Sequence, residues 1–360
     1  MNAASPETSP RPARAGRGWR AAPGEGLILP LIAAILFVLL LTPASHAEDK
    51  PPFSVTAIPI KSFDLLGVQT KFGPLEWRGG LELKSTDKRF GGLSSLALSA
   101  DGGKLLAVGD TGIWFRANLV YKDGKLAGLT DPELAPLLDK NGKPLNGKSW
   151  SDAEALSSWQ PGKIDGKIIV GFETRTRAGI YDLGKYGLKA RMEPLPIPRD
   201  IPKARINSEL EAIGRFASGP LKGRFIAVSE QNFDANGNIR AWVFGGKNPF
   251  AFSIKRNTDY VITDLAILDA SIVTVERSFG TSVLPGAAIR QFPIDAIMPG
   301  ETVEPRVLFE GRAPFYTIDN MEGIAVSKSE DGETRLTLIS DDNFRRDVQR
   351  TLLLQFALPE

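Results

Sequence analysis

An all-β fold is what this sequence of 360 residues predicts, on three observations. Short apolar and β-branched runs recur between Gly-, Asn- and Asp-containing turns. No 11-residue window shows a convincing 3.6-residue period, and the 26 prolines oppose long helices. A shared pattern of runs also returns five times, so the chain is built from repeats.

The first segment is an address. Arg11, Arg14, Arg17 and Arg20 precede an apolar run over residues 27–41, and the small residues Ser45 and Ala47 follow it. A basic stretch, a short apolar stretch and a small-residue site predict a secretory signal peptide over residues 1–47, cleaved after Ala47. The run is shorter than the roughly 20 residues a membrane-crossing helix needs, so an uncleaved anchor is the weaker reading. The expected product is periplasmic or secreted, with no stable membrane span after cleavage. Removing four arginines and two acids leaves 40 basic and 40 acidic residues. A neutral chain argues against a nucleic-acid partner, whose phosphates call for a basic surface.

Residues 48–74 form a lead-in and residues 75–360 the domain. Taking Ser94, Glu154, Glu211, Asp264 and Glu322 as equivalent, the repeats are spaced by 60, 57, 53 and 58 residues. Each unit opens on a short strand, such as Leu93-Ser94-Ser95-Leu96 or Glu211-Ala212-Ile213. It turns at a Gly- or Asp-rich corner (Asp101-Gly102, Asp331-Gly332) and continues in a β-branched strand that ends on an acid. A third run follows, such as Ile239-Arg240-Ala241-Trp242-Val243, and a fourth can be drawn in most units, as at Phe250-Ala251-Phe252-Ser253-Ile254. Four strands per unit in a repeating chain predict a single β-propeller of four-stranded blades. The last unit stops at its third strand. The run over residues 75–83 can supply the fourth, closing the ring and leaving no free edge. The repeats count five blades, and residues 53–70 leave room for a sixth.

Composition removes much chemistry. There is no cysteine, and the one histidine, His46, precedes the predicted cleavage point. Thiol nucleophiles, disulfides, multi-histidine metal sites and a Ser-His-Asp triad are therefore excluded from the exported chain. Carboxylates, arginines, lysines and hydroxyls remain. Two acids recur per unit: Glu154, Glu211, Asp264 and Glu322 at the first strand, and Asp110, Glu173, Glu230, Glu276 and Asp341 at the end of the second. The positions predict two acidic rings around one mouth of the channel. An acid followed three places later by Phe also recurs, at Glu230/Phe233, Glu276/Phe279 and Asp341/Phe344. Two carboxylates ~7 Å apart repel by roughly 2 kcal/mol at an effective dielectric of ~20, so such rings need cations or protons. An oxygen-only donor set selects a hard cation, with Ca2+ the natural choice. Arginines near the third strand can equally neutralise the acids and brace each blade, and the residue pattern leaves both readings open.

The motifs carry a resemblance. Gly91-Gly92-Leu93-Ser94-Ser95-Leu96, the Glu154 and Glu211 openings, Glu276-Arg277-Ser278-Phe279, and Asn320-Met321-Glu322-Gly323 with Ser340-Asp341-Asp342-Asn343-Phe344 resemble the phytase-like family, labelled for an esterase-like activity of phytase. The likeness runs from about Gly91 to Leu358. The acidic metal-binding motifs of the calcium-dependent propeller phytases are not found here. The resemblance implies an exported propeller hydrolysing a small-molecule phosphate or carboxylic ester. Glu211, Glu230, Glu276, Glu322 and Asp341 would then activate water or hold metal. Glu154, Glu173, Asp264 and Asp342 would add Ca2+ ligands, and Arg177, Arg277, Arg346 and Arg350 would bind substrate phosphate. The competing expectation is a non-catalytic propeller that binds a ligand or protein partner in the envelope. A monomer is expected in either case.

Overall fold

The computed structural model describes residues 53–201, 210–257, 259–278 and 284–359. The predicted signal peptide and its cleavage point lie outside the described residues, as does Phe279. The chain divides into Met1–Pro51 and Pro52–Glu360, and every strand of the fold belongs to the second unit.

Strands β1 (Thr56–Ile60) and β2 (Lys71–Phe72) both pair antiparallel with β3 (Leu75–Lys84). The lead-in thus joins an existing sheet. The first full meander is β4 (Leu93–Leu98), β5 (Lys104–Gly109), β6 (Ile113–Lys122) and β7 (Lys125–Pro136). A four-residue helix α1 (Lys148–Ser151) precedes the second, β8 (Ala153–Ser158), β9 (Lys167–Phe172), β10 (Arg177–Asp182) and, after helix α2 (Leu183–Tyr186), β11 (Glu193–Leu195). The third holds β12 (Leu210–Arg215), β13 (Phe225–Phe233), β14 (Ile239–Phe244) and β15 (Phe250–Ile254). The fourth holds β16 (Tyr260–Leu268), β17 (Ser271–Ser278) and β18 (Gly286–Pro293). Its chain then lends β19 (Thr302–Val303) to the outer edge of β15 before completing the sheet with β20 (Arg306–Arg312). The last is β21 (Asn320–Lys328), β22 (Thr334–Asp341) and β23 (Thr351–Ala357), and its fourth strand is β3, with Leu353 opposite Leu81.

These antiparallel meanders have the form of propeller blades. Their first strands, called axial here, contact one another in turn: β4 lies against β8, β8 against β12, β12 against β16, β16 against β21, and β21 against β4. Apolar side chains seal the gaps between successive meanders, the first and last of which join in one sheet through the β3–β7 pairing of Gly79 with Leu126. Ala155 and Ile169 pack with Ile213, Ala227 and Trp242, while Leu96, Ala107 and Phe115 pack with Ala325, Ile339 and Leu353. Each Leu or Ile so buried contributes about 1.5–3 kcal/mol. Trp114 and Trp242 belong to this packing. Among the described residues no helix is long and apolar enough to cross a membrane.

Each axial strand carries a register shift close to its N-terminal end. The residue left unpaired is Ser94 in β4, Glu154 in β8, Glu211 in β12, Thr263 in β16 and Glu322 in β21. These are β-bulges, which re-aim a side chain by inserting one residue.

Candidate acidic pocket

The bulges decide which acids meet. Glu154, Glu211 and Glu322 sit on bulges at one end of the axial strands, and Asp110, Glu173 and Asp341, closing or directly following their second strands, sit at that same end with Glu230, which lies within β13 just past the residue paired with Leu210. Together with Lys148, Arg277 and Asn343 they line a cavity of about 230 Å³. Among the described residues, seven carboxyl groups thus face two cationic side chains.

The fourth sheet departs from the predicted equivalences by one residue. Its bulge is Thr263, and Asp264 is the next residue, paired across from Val275. Because side chains alternate along a strand, that one step turns Asp264 away from the pocket. Its carboxylate is fully buried and accepts from Ser95 Oγ (2.7 Å), Leu265 N (2.8 Å) and Ile324 N (3.1 Å). It ties three axial strands together. Glu276 is displaced in the same way. It pairs opposite Ile262, so the residue matching Glu230 and Asp341 is Arg277. Glu276 points into the blade, where its Oε1 lies 2.6 Å from Nε of the buried Arg290. Asp264 and Glu276 therefore hold structure instead of lining the cavity.

The other expected arginines are also engaged elsewhere. Arg177 lies 3.8 Å over the ring of Phe172 and donates to the carbonyl of Trp150. Arg346 donates to the carbonyls of Ser85 (3.0 Å), Asp87 (3.1 Å) and Phe90, and its Nε is 3.6 Å from Asp342. Arg350 stands 3.6 Å from Asp319. Asp342 accepts from the backbone N–H groups of Gly92 and Phe344, both at 3.1 Å. The Gly-Gly pair of the motif serves this approach. Gly92 has φ +61°, and a Cβ there would lie 2.2 Å from Asp110 Oδ1.

Of the thirteen expected site residues, the cavity brings together Glu154, Glu173, Glu211, Glu230, Arg277, Glu322 and Asp341. Arg277 bridges three of the sheets. It donates to Glu230 Oε1 (2.5 Å) and Asn320 Oδ1 (3.2 Å), and its Nε is 3.5 Å from Glu322 Oε1. Asn320 in turn donates to Glu322 (2.6 Å), and the Asn343 N–H donates to Asp341 (2.6 Å). Lys148, Asp152 and Asn343 were not among the expected site residues. Lys148 Nζ lies 3.1 Å from Asp110 and 2.6 Å from Asp152. The Lys-to-Asp spacing of four and the acid pair Asp152/Glu154 were the available signals.

So many buried carboxyls shift one another. Burial, reinforced by Asp152 and Glu322, raises Glu154 well above the usual carboxyl range. Burial also raises Glu211 well above it, with Glu230, Glu154, Glu173 and Glu322 adding repulsion. Glu322 is raised by burial to about 7, held down partly by Arg277. Asp341 is raised by burial and by Glu322 to about 8. Burial raises Asp110 too, against the pull of Lys148. The Arg277 guanidinium is held more firmly charged by Glu322, Glu230 and Glu211 than burial opposes. Burial disfavours the Lys148 ammonium, but Asp152 and Asp110 outweigh it.

One subset is compact enough for a metal ion. Asp152, Glu154 and Glu173 each offer an oxygen, all within 4.8 Å of one another. The donors are all carboxylate, and neighbouring acids add to the negative field. That fits a hard divalent cation.

Among solved structures the chain is similar to AofleA from Arthrobotrys oligospora, with 11% identity and a TM-score of 0.36 over 79% of this chain and 83% of that one. It is also similar to the RRP9 WD40 repeats, with 9% identity and a TM-score of 0.38 over 74% of this chain and 95% of that one. No curated protein matches the sequence. The family model described as "Esterase-like activity of phytase" matches residues 88–344, a span that holds every residue lining the acidic cavity, and the chain belongs to this phytase-like family.

Proposed function

We propose that this chain is an exported, monomeric hydrolase of phosphate or carboxylic esters that works in the acidic cavity, with Ca2+ held by Asp152, Glu154 and Glu173. The observation that carries the proposal is the three-carboxylate group that Asp152 forms with the cavity-lining Glu154 and Glu173, in a cavity that also holds Lys148, Arg277 and carboxyls raised to about 7 and about 8. A bound divalent cation supplies Lewis acidity toward the ester's oxygen. Glu322, near 7, is poised to take a proton from water, and Asp341, near 8, keeps a proton to give to the leaving group. Arg277, fixed by Glu230, Glu322 and Asn320, presents positive charge to an anionic substrate oxygen.

The architecture that positions these groups is read as five blades, with β3 completing the last one beside β23 and closing the ring. The cyclic contacts of the five axial strands support this count. Export rests on the signal-like residues 1–47. The test is a panel of phytate, an aryl phosphate and an aryl carboxylic ester, each run with Ca2+ and with chelator. Turnover of one of them that chelator abolishes, and that E154Q and E173Q lower at least about tenfold, is the expected result. No turnover of any member with Ca2+ present refutes the reading and favours a ligand-binding propeller.

A further inference from the structure

We propose that Lys148 is a tethered cation that occupies the metal site of this propeller and must leave Asp152 before a divalent ion can bind. The inference rests on the reading of Asp152, Glu154 and Glu173 as that site, and it adds a regulator to it.

The geometry is specific to one oxygen. Lys148 opens helix α1 and Asp152 directly follows the helix, so the i,i+4 spacing brings the ammonium onto the carboxylate, 2.6 Å from Oδ1. The other oxygen, Oδ2, accepts from the Thr174 hydroxyl. Asp152 is fully buried, so no bulk water stands ready to replace either partner. A Ca2+ ion sits about 2.3–2.6 Å from its ligand oxygens. That is the distance at which the ammonium already stands, and two cations cannot share one oxygen at that range.

The two members of the pair differ in freedom. The Asp152 side chain is 1% exposed and fixed, whereas that of Lys148 is 64% exposed and long enough to swing into solvent. Lys148 also reaches Asp110, so one ammonium serves two carboxylates. Arg277 is different. None of its partners Glu230, Glu322 and Asn320 is in the candidate metal group. Of the two cationic side chains described in the cavity, Lys148 is the one paired with Asp152 of the candidate metal group. A lysine suits the task because its ammonium is a compact charge on a flexible stem with no bidentate lock.

The experiment measures binding of Ca2+ itself, not turnover, by calorimetry, with Tb3+ luminescence as a second readout. Wild type, K148M, K148Q and K148R are compared as full chains in one buffer. The expected result is Ca2+ affinity about tenfold tighter in K148M and K148Q, with K148R within about twofold of wild type because it keeps the charge. K148Q carries the test if K148M does not fold. Affinity in the neutral variants equal to or weaker than wild type overturns the tether while leaving the metal site standing. Equal tightening in K148R also overturns it, since charge competition is then not the cause. Absence of Ca2+ binding in all four chains overturns the metal site and the tether together.

Discussion

In chelator, this protein is expected to lose stability as pH rises from 5 to 8, and Ca2+ should remove that loss. Glu322 is raised from 4.5 to about 7 on folding and Asp341 from 3.8 to about 8. A carboxyl whose folded pKa lies above its unfolded one binds its proton more tightly in the folded state. Its contribution is therefore complete below the unfolded pKa and disappears as pH climbs through the folded value. For Glu322 alone that difference is about 3 kcal/mol, spread between roughly pH 4.5 and 7. The expected slope is roughly 1.4 kcal/mol per pH unit for each carboxyl still protonated only in the folded state. Urea unfolding at pH 5, 6, 7 and 8 in chelator reads this slope directly. Repeating the series in saturating Ca2+ should flatten it, because the ion binds the ionised form and replaces protons. Calorimetry in two buffers of different ionisation enthalpy should then show proton release on Ca2+ binding at pH 6. Stability that is level or rising from pH 5 to 8 in chelator refutes the account of the cavity as an overcharged ring.

Two substitutions separate bracing acids from cavity acids. R290M leaves Glu276 buried without its partner, and the expected loss is about 3–5 kcal/mol in urea unfolding, with Ca2+ affinity unchanged. D264A strands the Ser95 hydroxyl and the N–H groups of Leu265 and Ile324, at about 1–3 kcal/mol for each unsatisfied donor, so its melting temperature should fall far more than that of D264N, which keeps an acceptor.

Much of this architecture was legible because strands and turns are local. The third-strand runs at Ile239 and Thr351 and the outer run at Phe250 appear as β14, β23 and β15, and the run over residues 75–83 appears as β3 beside β23. Sequence spacing picked out seven of the residues that line the cavity, and in the fourth sheet it slipped by one residue. Sequence spacing aligned Asp264 with Glu322 and Glu276 with Glu230, because acid was matched to acid. Pairing aligns Thr263 with Glu322 and Arg277 with Glu230 instead. A bulge adds one residue without a mark in composition, and a single step reverses which face a side chain takes. Lys148 was missed for another reason. It lies in the connection between two sheets, where no repeat points to it, and only folding brings it to Asp110, 38 residues away in sequence.

That slip explains how the ring tolerates its charge. The fourth sheet is the one that places Thr263 at the bulge and Arg277 beyond it, so the unit that breaks the acidic pattern supplies the guanidinium its neighbours need. Among the described residues, one guanidinium and one ammonium face seven carboxyls, and burial with mutual repulsion holds several of those carboxyls above the usual range. Residues 48–360 contain neither histidine nor cysteine, the usual side chains that titrate near neutrality. Burial and crowding make that function out of carboxyls, at about 7 for Glu322 and about 8 for Asp341. On the proposed reading, protons and Ca2+ would be alternative occupants of this acidic cavity, and any activity there should depend on pH and on the ion as linked variables rather than separate ones.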